Sequence, residues 1–286
     1  MDTKAEKVQM KSVLVDFIRA KPVGAIGGVV VLLMLLSIPL SFIAPLDPYR
    51  TEYAARLLPP SFEHLFGTDE LGRSVFSRVL AGTRLSLSVG FASTLLGSTL
   101  GALAGIISAY AGGRADSWIQ RFMDILLSFP ALVLAMVVVA VLGPAMINVI
   151  IAISVPFVPR SNRILRSAAL QIKGNLYIEA ARAIGVRPWR IVMRHIMPNC
   201  FAPYMVIATA LLSQAIVLEA TMSFLGLGVP PPAPSWGRSL ADGMAFSGQA
   251  PWLAVIPGVA LFVCVFAVNL LGDALRDTLD PKMKLR

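Results

Sequence analysis

The sequence predicts an all-α polytopic membrane protein with six transmembrane helices, and three observations carry that prediction. Of 286 residues, 56% are hydrophobic and only 14% charged, with a mean hydropathy of +0.74, a balance outside the range of ordinary soluble domains. The charges are segregated, with no Asp, Glu, Lys or Arg over 22–46, 85–113, 125–159, 195–218 and 243–272. About 20 apolar residues cross a bilayer, and a Lys or Arg at mid-span costs about 2.5–3.5 kcal/mol on insertion scales. Each run is therefore a candidate span. The third observation is a one-sided distribution of positive charge between the runs.

The first span is centred near 24–44. Lys4, Lys7, Lys11, Arg19 and Lys21 precede 22 apolar residues, too long for a signal-peptide core, so this span is expected to stay as an anchor. Outer loop 45–84 balances five arginines with five acids and leads to a second span near 85–110. The run 125–159 is long enough for two crossings, and Gly143-Pro144 reads as the turn between spans near 127–142 and 146–159. A single tilted helix through 127–159 is the alternative, and it would put the chain ends on opposite sides. Spans near 203–225 and 252–272 complete the six, joined by outer loop 226–251. The chain then divides into a cytoplasmic N-terminal segment (1–22), a first helix with its outer loop (23–84), a five-helix core (85–272) that includes a hydrophilic insert at 160–202, and a cytoplasmic tail (273–286).

With the amino terminus inside, segments 1–22, 111–126, 160–202 and 273–286 hold 19 of the 25 lysines and arginines, which satisfies the positive-inside rule. Topology and anionic headgroups thus account for the net charge of +9, and membrane lipid rather than nucleic acid is the expected partner of the basic surfaces. Cys200 and Cys264 fall in different segments and predict neither a disulfide nor a metal pair.

The insert carries Arg160, Arg163, Arg166, Lys173, Arg182, Arg187, Arg190 and Arg194 against one acid, Glu179. Two short helices separated by Gly185 fit its pattern. Ala180 and Ala181 leave a low surface for close approach, Glu179 offers a carboxylate, and Gly185 can take the positive φ that ends a helix. In the second helix Trp189, Val192, Met193 and Ile196 share one face, expected to pack on the spans, and Arg187, Arg190 and Arg194 another. An amphipathic helix pair lying on anionic lipid is the bland reading of the same pattern.

Gly97, Gly101, Gly105, Ala109 and Gly113 recur every four residues and predict a close helix-packing seam, either within the chain or against a second subunit. Glu219 is the one acid inside an apolar run and is a candidate for pairing at headgroup level or for contact with a solute. Asn148 and Asn269 are expected to bond between helices. The two histidines lie in separate segments. No His-x-x-x-His, Cys-x-x-Cys, Gly-x-Ser-x-Gly or phosphate-binding Gly-x-x-x-x-Gly-Lys-Ser/Thr pattern occurs, so neither catalysis nor a cofactor is expected in this chain.

The run Glu179-Ala180-Ala181, Gly185 and Pro198, with this spacing, resembles the EAA loop of inner-membrane permeases of binding-protein-dependent ABC importers. His195 and Met197 depart from the general pattern, but His195-Ile196-Met197-Pro198 is close to its peptide-importing branch. From residue 67 onward the chain looks like the second permease of dipeptide and oligopeptide importers. The matching motifs are Gly67-Thr68-Asp69-Glu70-Leu71-Gly72-Arg73, Gly82-Thr83-Arg84-Leu85-Ser86-Leu87, Ser223 to Gly228, Ser235-Trp236-Gly237 and Asn269 to Asp273. Ser74 stands where that branch usually has Asp.

The resemblance implies a bacterial inner-membrane subunit with both termini cytoplasmic, which moves peptides inward. It implies a homologous second permease, two ATPase subunits that bind ATP and Mg, and an extracytoplasmic substrate-binding protein. Glu179, Ala180, Ala181, Gly185, Arg187 and Trp189 would form the coupling helix that meets the ATPase. The outer loops, with Asp69, Arg73 and Trp236 as candidates, would receive the binding protein. Related permeases carry nickel chelates, opines or glutathione. A self-contained channel or secondary carrier, or a scaffold that only anchors ATPases, remains as a reading of another class.

Overall fold

The computed structural model describes residues 21–43 and 47–279. Most of segment 1–22 and the end of the 273–286 tail therefore lie outside the described residues. Helix α1 (Pro22–Ile43) is followed by an irregular loop, then by α2 (Val75–Ala111), α3 (Gly113–Leu127), α4 (Ala131–Leu142), α5 (Met146–Ser154) and α6 (Phe157–Lys173). Three short helices come next: α7 (Leu176–Ala183), α8 (Pro188–Ile191) and α9 (Met197–Asn199). They lead to α10 (Phe201–Phe224), α11 (Trp236–Met244) and α12 (Trp252–Leu279).

Helices α1, α2, α10 and α12 are each long and apolar enough to cross a membrane, and α3 with α4 makes a fifth only if that pair, bent by 91°, counts as one broken span. The expected count of six is not reached on this criterion. Two boundaries also differ. The second span starts ten residues early, because Ser74 caps α2 by accepting a bond from the Ser77 N–H and the helix runs on through Arg78 and Arg84. The predicted third span is only the 12 residues of α4, about 18 Å at 1.5 Å per residue. The predicted fourth does not stop at 159: Val155 and Pro156 keep right-handed helical angles, so α5 passes into α6 and carries Arg160, Arg163 and Arg166 on the same rod.

The long helices alternate in direction. Near one end Gly24 abuts Ala274, Lys21 pairs with Asp277 at 2.6 Å, and Gly272 approaches Thr209. Near the other end Gly82 lies against Trp236. The first end also holds α7 to α9, and the second holds the loops 47–74 and 225–251.

Three glycines of the stripe pack inside the chain, whereas a Cβ at Gly113 would meet nothing within 4 Å. A Cβ at Gly97, Gly101 or Gly105 would fall 2.6, 2.2 or 2.5 Å from the carbonyl oxygens of Ser154, Val158 and Asn162. Helices α2 and α5–α6 are thus locked backbone to backbone. Across the same bundle, buried Glu219 of α10 accepts from Ser86 at 2.8 Å and Ser223 at 2.7 Å, so both carboxylate oxygens are engaged in packing. Asn148 bonds between helices as expected, but only to the end of the neighbouring helix. Its amide donates to the Leu142 and Gly143 carbonyls at 2.8 and 3.0 Å, closing the turn between α4 and α5. Cys200 and Cys264 are free and buried.

Helix α3 lies nearly at right angles to α4. Trp118, Phe122 and Ile125 are exposed on it, one or two turns apart, and Arg121 sits 5.6 Å from the Trp118 ring. That is the layout of a helix lying in the headgroup plane.

Candidate coupling site

The loop after α6 is built as a platform with a buried underside. Ile178, Ile191 and Ile196 are fully buried, and Ala181 nearly so, against Ala102, Ile106 and Ala109 of α2 and Leu165 and Ala169 of α6. Helix α7 stops in a Schellman motif: the Val186 N–H donates to the Ala181 carbonyl at 3.0 Å and the Gly185 N–H to that of Arg182 at 2.9 Å. Gly185 has φ +76°, which a side chain adopts only under strain. Pro188 then opens α8 at a position that needs no N–H.

The segment from Pro188 to Asn199 is not one regular helix. Val192–Ile196 forms a π turn in which the Met197 N–H reaches the Val192 carbonyl. Pro198 supplies the cause: it has no N–H for the Arg194 carbonyl, and its ring crowds that carbonyl, so the preceding turn widens. The wider turn brings Ile191 and Ile196, five apart, onto one buried face. Trp189, expected to pack on the spans, is instead 63% exposed. Ala181 is buried too, so within the Glu-Ala-Ala run only Glu179 and Ala180 face outward.

The outward face is apolar and basic together. Leu176 is 82% and Ile184 81% exposed, beside the exposed Arg182, Arg187, Arg190 and Arg194. Sequence reading missed Leu176 and Ile184, although isolated apolar residues in so polar a segment were the available signal.

Three other basic residues of the insert, Arg163, Arg166 and Lys173, are spent within the chain. Arg166 grips Asp116 of α3 with two bonds, of 2.8 and 2.5 Å, and Arg163 meets Asp124 at 2.7 Å. The Arg166 guanidinium, first by its hydrogen bonds and then by its charge, holds the Asp116 carboxyl below the ordinary carboxylate range. Lys173 donates to the Ala109 and Tyr110 carbonyls at 2.8 and 2.9 Å, placing a cation on the free carbonyls that end α2. Lys173 and Arg182 also lie 5.7 and 5.5 Å from the Tyr110 ring.

At the opposite end the three candidate residues turn inward. The Asp69 carboxylate accepts from the Leu71 and Arg73 N–H groups, both at 2.9 Å, and from Arg73 Nε at 2.6 Å. Trp236 is 1% exposed, and its Nε1 donates to the Val79 carbonyl at 3.0 Å. Asp69, Arg73 and Trp236 therefore shape the surface at this end from beneath and offer little of it directly. Asn269 differs from expectation in the other direction. Its side chain is exposed and makes no hydrogen bond to the described residues, and it lines a cleft with Arg160 and Gln214.

Residues 97–285 match the family described as the binding-protein-dependent transport system inner membrane component. A putative peptide transport system permease protein of Brucella abortus is 44% identical over 261 residues, covering 91% of this chain and 88% of the relative. The glutathione transport system permease protein of Pectobacterium atrosepticum is 39% identical over 269 residues, covering 94% and 89%. Among solved structures, a chain of the methionine ABC transporter MetNI in an inward-facing conformation superposes with a TM-score of 0.59, over 71% of this chain and 96% of that one. At 20% identity that likeness speaks for the fold alone. A family match over most of the chain, relatives of near-equal length and an all-helical bundle with a docking-shaped basic loop agree: the chain belongs to the inner-membrane components of binding-protein-dependent transport systems.

Proposed function

We propose that this chain is the permease subunit of an ATP-driven ABC importer that carries di- and oligopeptides inward. The observation that carries the reading is the two-sided loop at 176–199. Its underside is fully buried on α2 and α6, while Leu176, Ile184 and Trp189 stand 82%, 81% and 63% exposed among arginines. An exposed apolar cluster ringed by charge marks a protein contact, and the buried underside makes the loop move with the helices that hold it. ATP and Mg belong to the ATPase subunits that dock there, two in number. A homologous second permease completes the pore, and an extracytoplasmic binding protein delivers the solute to loops 47–74 and 225–251. Six crossings with both chain ends inside fit the Lys21–Asp277 pair, which holds the start of α1 beside the end of α12. Glutathione, itself a short peptide, is the second solute reading, favoured by the Pectobacterium relative.

The test is a pull-down of the tagged chain from gently solubilised membranes, with mass spectrometry and an ATPase assay of the eluate. A second permease and ATPase subunits are expected with it. A lone, ATP-indifferent chain, recovered under conditions shown to preserve such complexes, would replace this reading with a channel or secondary carrier.

A further inference from the structure

Between α4, α6, α10 and α12 lies a cleft of about 410 Å³, within the size of small-molecule sites. Its mainly apolar walls carry the hydroxyls of Ser213 and Thr221 of α10 and three larger polar side chains from three helices: Arg160 of α6, Gln214 of α10 and Asn269 of α12. Arg160 donates through Nη1 to the Gln214 side-chain oxygen. Gln214 stands near the middle of the 24-residue α10, so the guanidinium sits at the depth of the span and not at its cytoplasmic edge, where the end of a charge-free run would place it. Among the described residues no carboxylate pairs with Arg160, although Arg163 and Arg166 on the same helix each have one. The nearest acid in sequence to Gln214, Glu219, is engaged by two serines. Gln214 and Asn269 are exposed, and such groups at membrane depth face a water-filled space or a partner rather than lipid.

We propose that this cleft is this chain's share of the solute path and that Arg160 receives the free carboxylate of the passing solute, with the Gln214 and Asn269 amides meeting its peptide and amino groups. The inference rests on the importer reading and deepens it. Arginine suits the task because it stays charged at any accessible pH and matches a carboxylate in two-point geometry. Until a solute arrives, Gln214 holds the guanidinium in place as a neutral partner that a carboxylate can displace.

Two measurements on the assembled transporter test this. In the first, Val217→Cys, one turn from Gln214 in the same cleft, is labelled in inside-out vesicles with an anionic and a cationic methanethiosulfonate. The anionic reagent is expected to react several-fold faster, and Arg160→Gln to cut that ratio about five-fold. An unchanged ratio overturns the charge assignment. A cysteine silent to both reagents but reactive to a lipid-soluble maleimide overturns the open cleft. In the second, proteoliposomes supplied with binding protein are offered an alanine peptide mixture, from dialanine to pentaalanine. Uptake is expected to fall about ten-fold or more in Arg160→Gln and to be kept in part in Arg160→Lys, which holds the charge without the two-point geometry. Full uptake by Arg160→Gln sinks the carboxylate role alone. No uptake of any peptide by the wild type sinks the peptide importer reading, whereas the labelling ratio needs no transported solute and still reports the charge of the cleft.

Discussion

At the scale of single residues, the clearest lesson is that arginines close together in sequence have different jobs. Arg163 and Arg166 tie α6 to α3, Lys173 caps α2, and only Arg182, Arg187, Arg190 and Arg194 border the exposed face. Replacing Asp116 with Asn should cost about 1–2 kcal/mol, since a charged hydrogen-bond pair is lost. The sign with pH follows from the depressed Asp116 carboxyl. A group whose folded pKa lies below its unfolded value stabilises the fold above the unfolded value, 3.8, and that contribution is lost as pH falls through the folded one. Thermal melts of wild type and Asp116→Asn should therefore differ by a constant amount from pH 7 to 5 and converge only below about pH 4. Gly101→Ala should sharply lower the yield of folded chain in a detergent size-exclusion assay, because its Cβ would sit 2.2 Å from the Val158 carbonyl oxygen with no flexible side chain to yield. Gly174→Ala, whose nearest neighbour atom would be 3.6 Å away, is the control expected to fold normally.

At the scale of elements, periodicity was readable until the helix itself changed pitch. The face containing Trp189, Val192, Met193 and Ile196 is correct for 3.6 residues per turn, but the π turn rotates the face by about 100° for its extra residue. Pro198 was in plain view as the cause, yet a proline constrains the turn before it without saying whether that turn kinks, breaks or widens. Ile178 and Ala181, three apart, share the buried face of α7, so the Glu-Ala-Ala run splits between inside and outside. The fourth span was misjudged for a related reason. The first arginine after an apolar run normally marks the interface, but α5–α6 continues because its arginines find Asp116, Asp124 and Gln214 from other helices, contacts that no local pattern contains. The loop's two sides should also respond differently to mutation. Ile184→Asp is expected to reduce ATPase co-purification at least ten-fold while leaving the melting temperature of the permease unchanged. Ile178→Asp, which buries a carboxylate at a fully enclosed position, should lower that melting temperature and the yield together.

At the scale of the whole molecule, the legible part was composition: the charge-free runs located the apolar helices, and the basic insert located the loop with an exposed apolar and basic face. Direction and depth were not legible, because both depend on how helices pair. Gly185→Pro puts a ring that requires negative φ where the chain turns at +76°. It should abolish uptake while the protein still inserts, as checked by membrane fractionation beside a transport assay. Normal uptake would show that the loop's geometry is not needed. Helix α6 has a further consequence. Of its 17 residues, the stretch from Arg160 to Lys173, about 20 Å of helix, joins the guanidinium in the cleft to the lysine that clamps α2 beside the exposed face of the 176–199 loop, with no hinge glycine between them. A rod read at both ends obeys reciprocity. If nucleotide state at the inner face alters how tightly the cleft holds its cargo, then cargo in the cleft must alter nucleotide affinity by the same factor, so this permease would report to its motor whether there is anything to move.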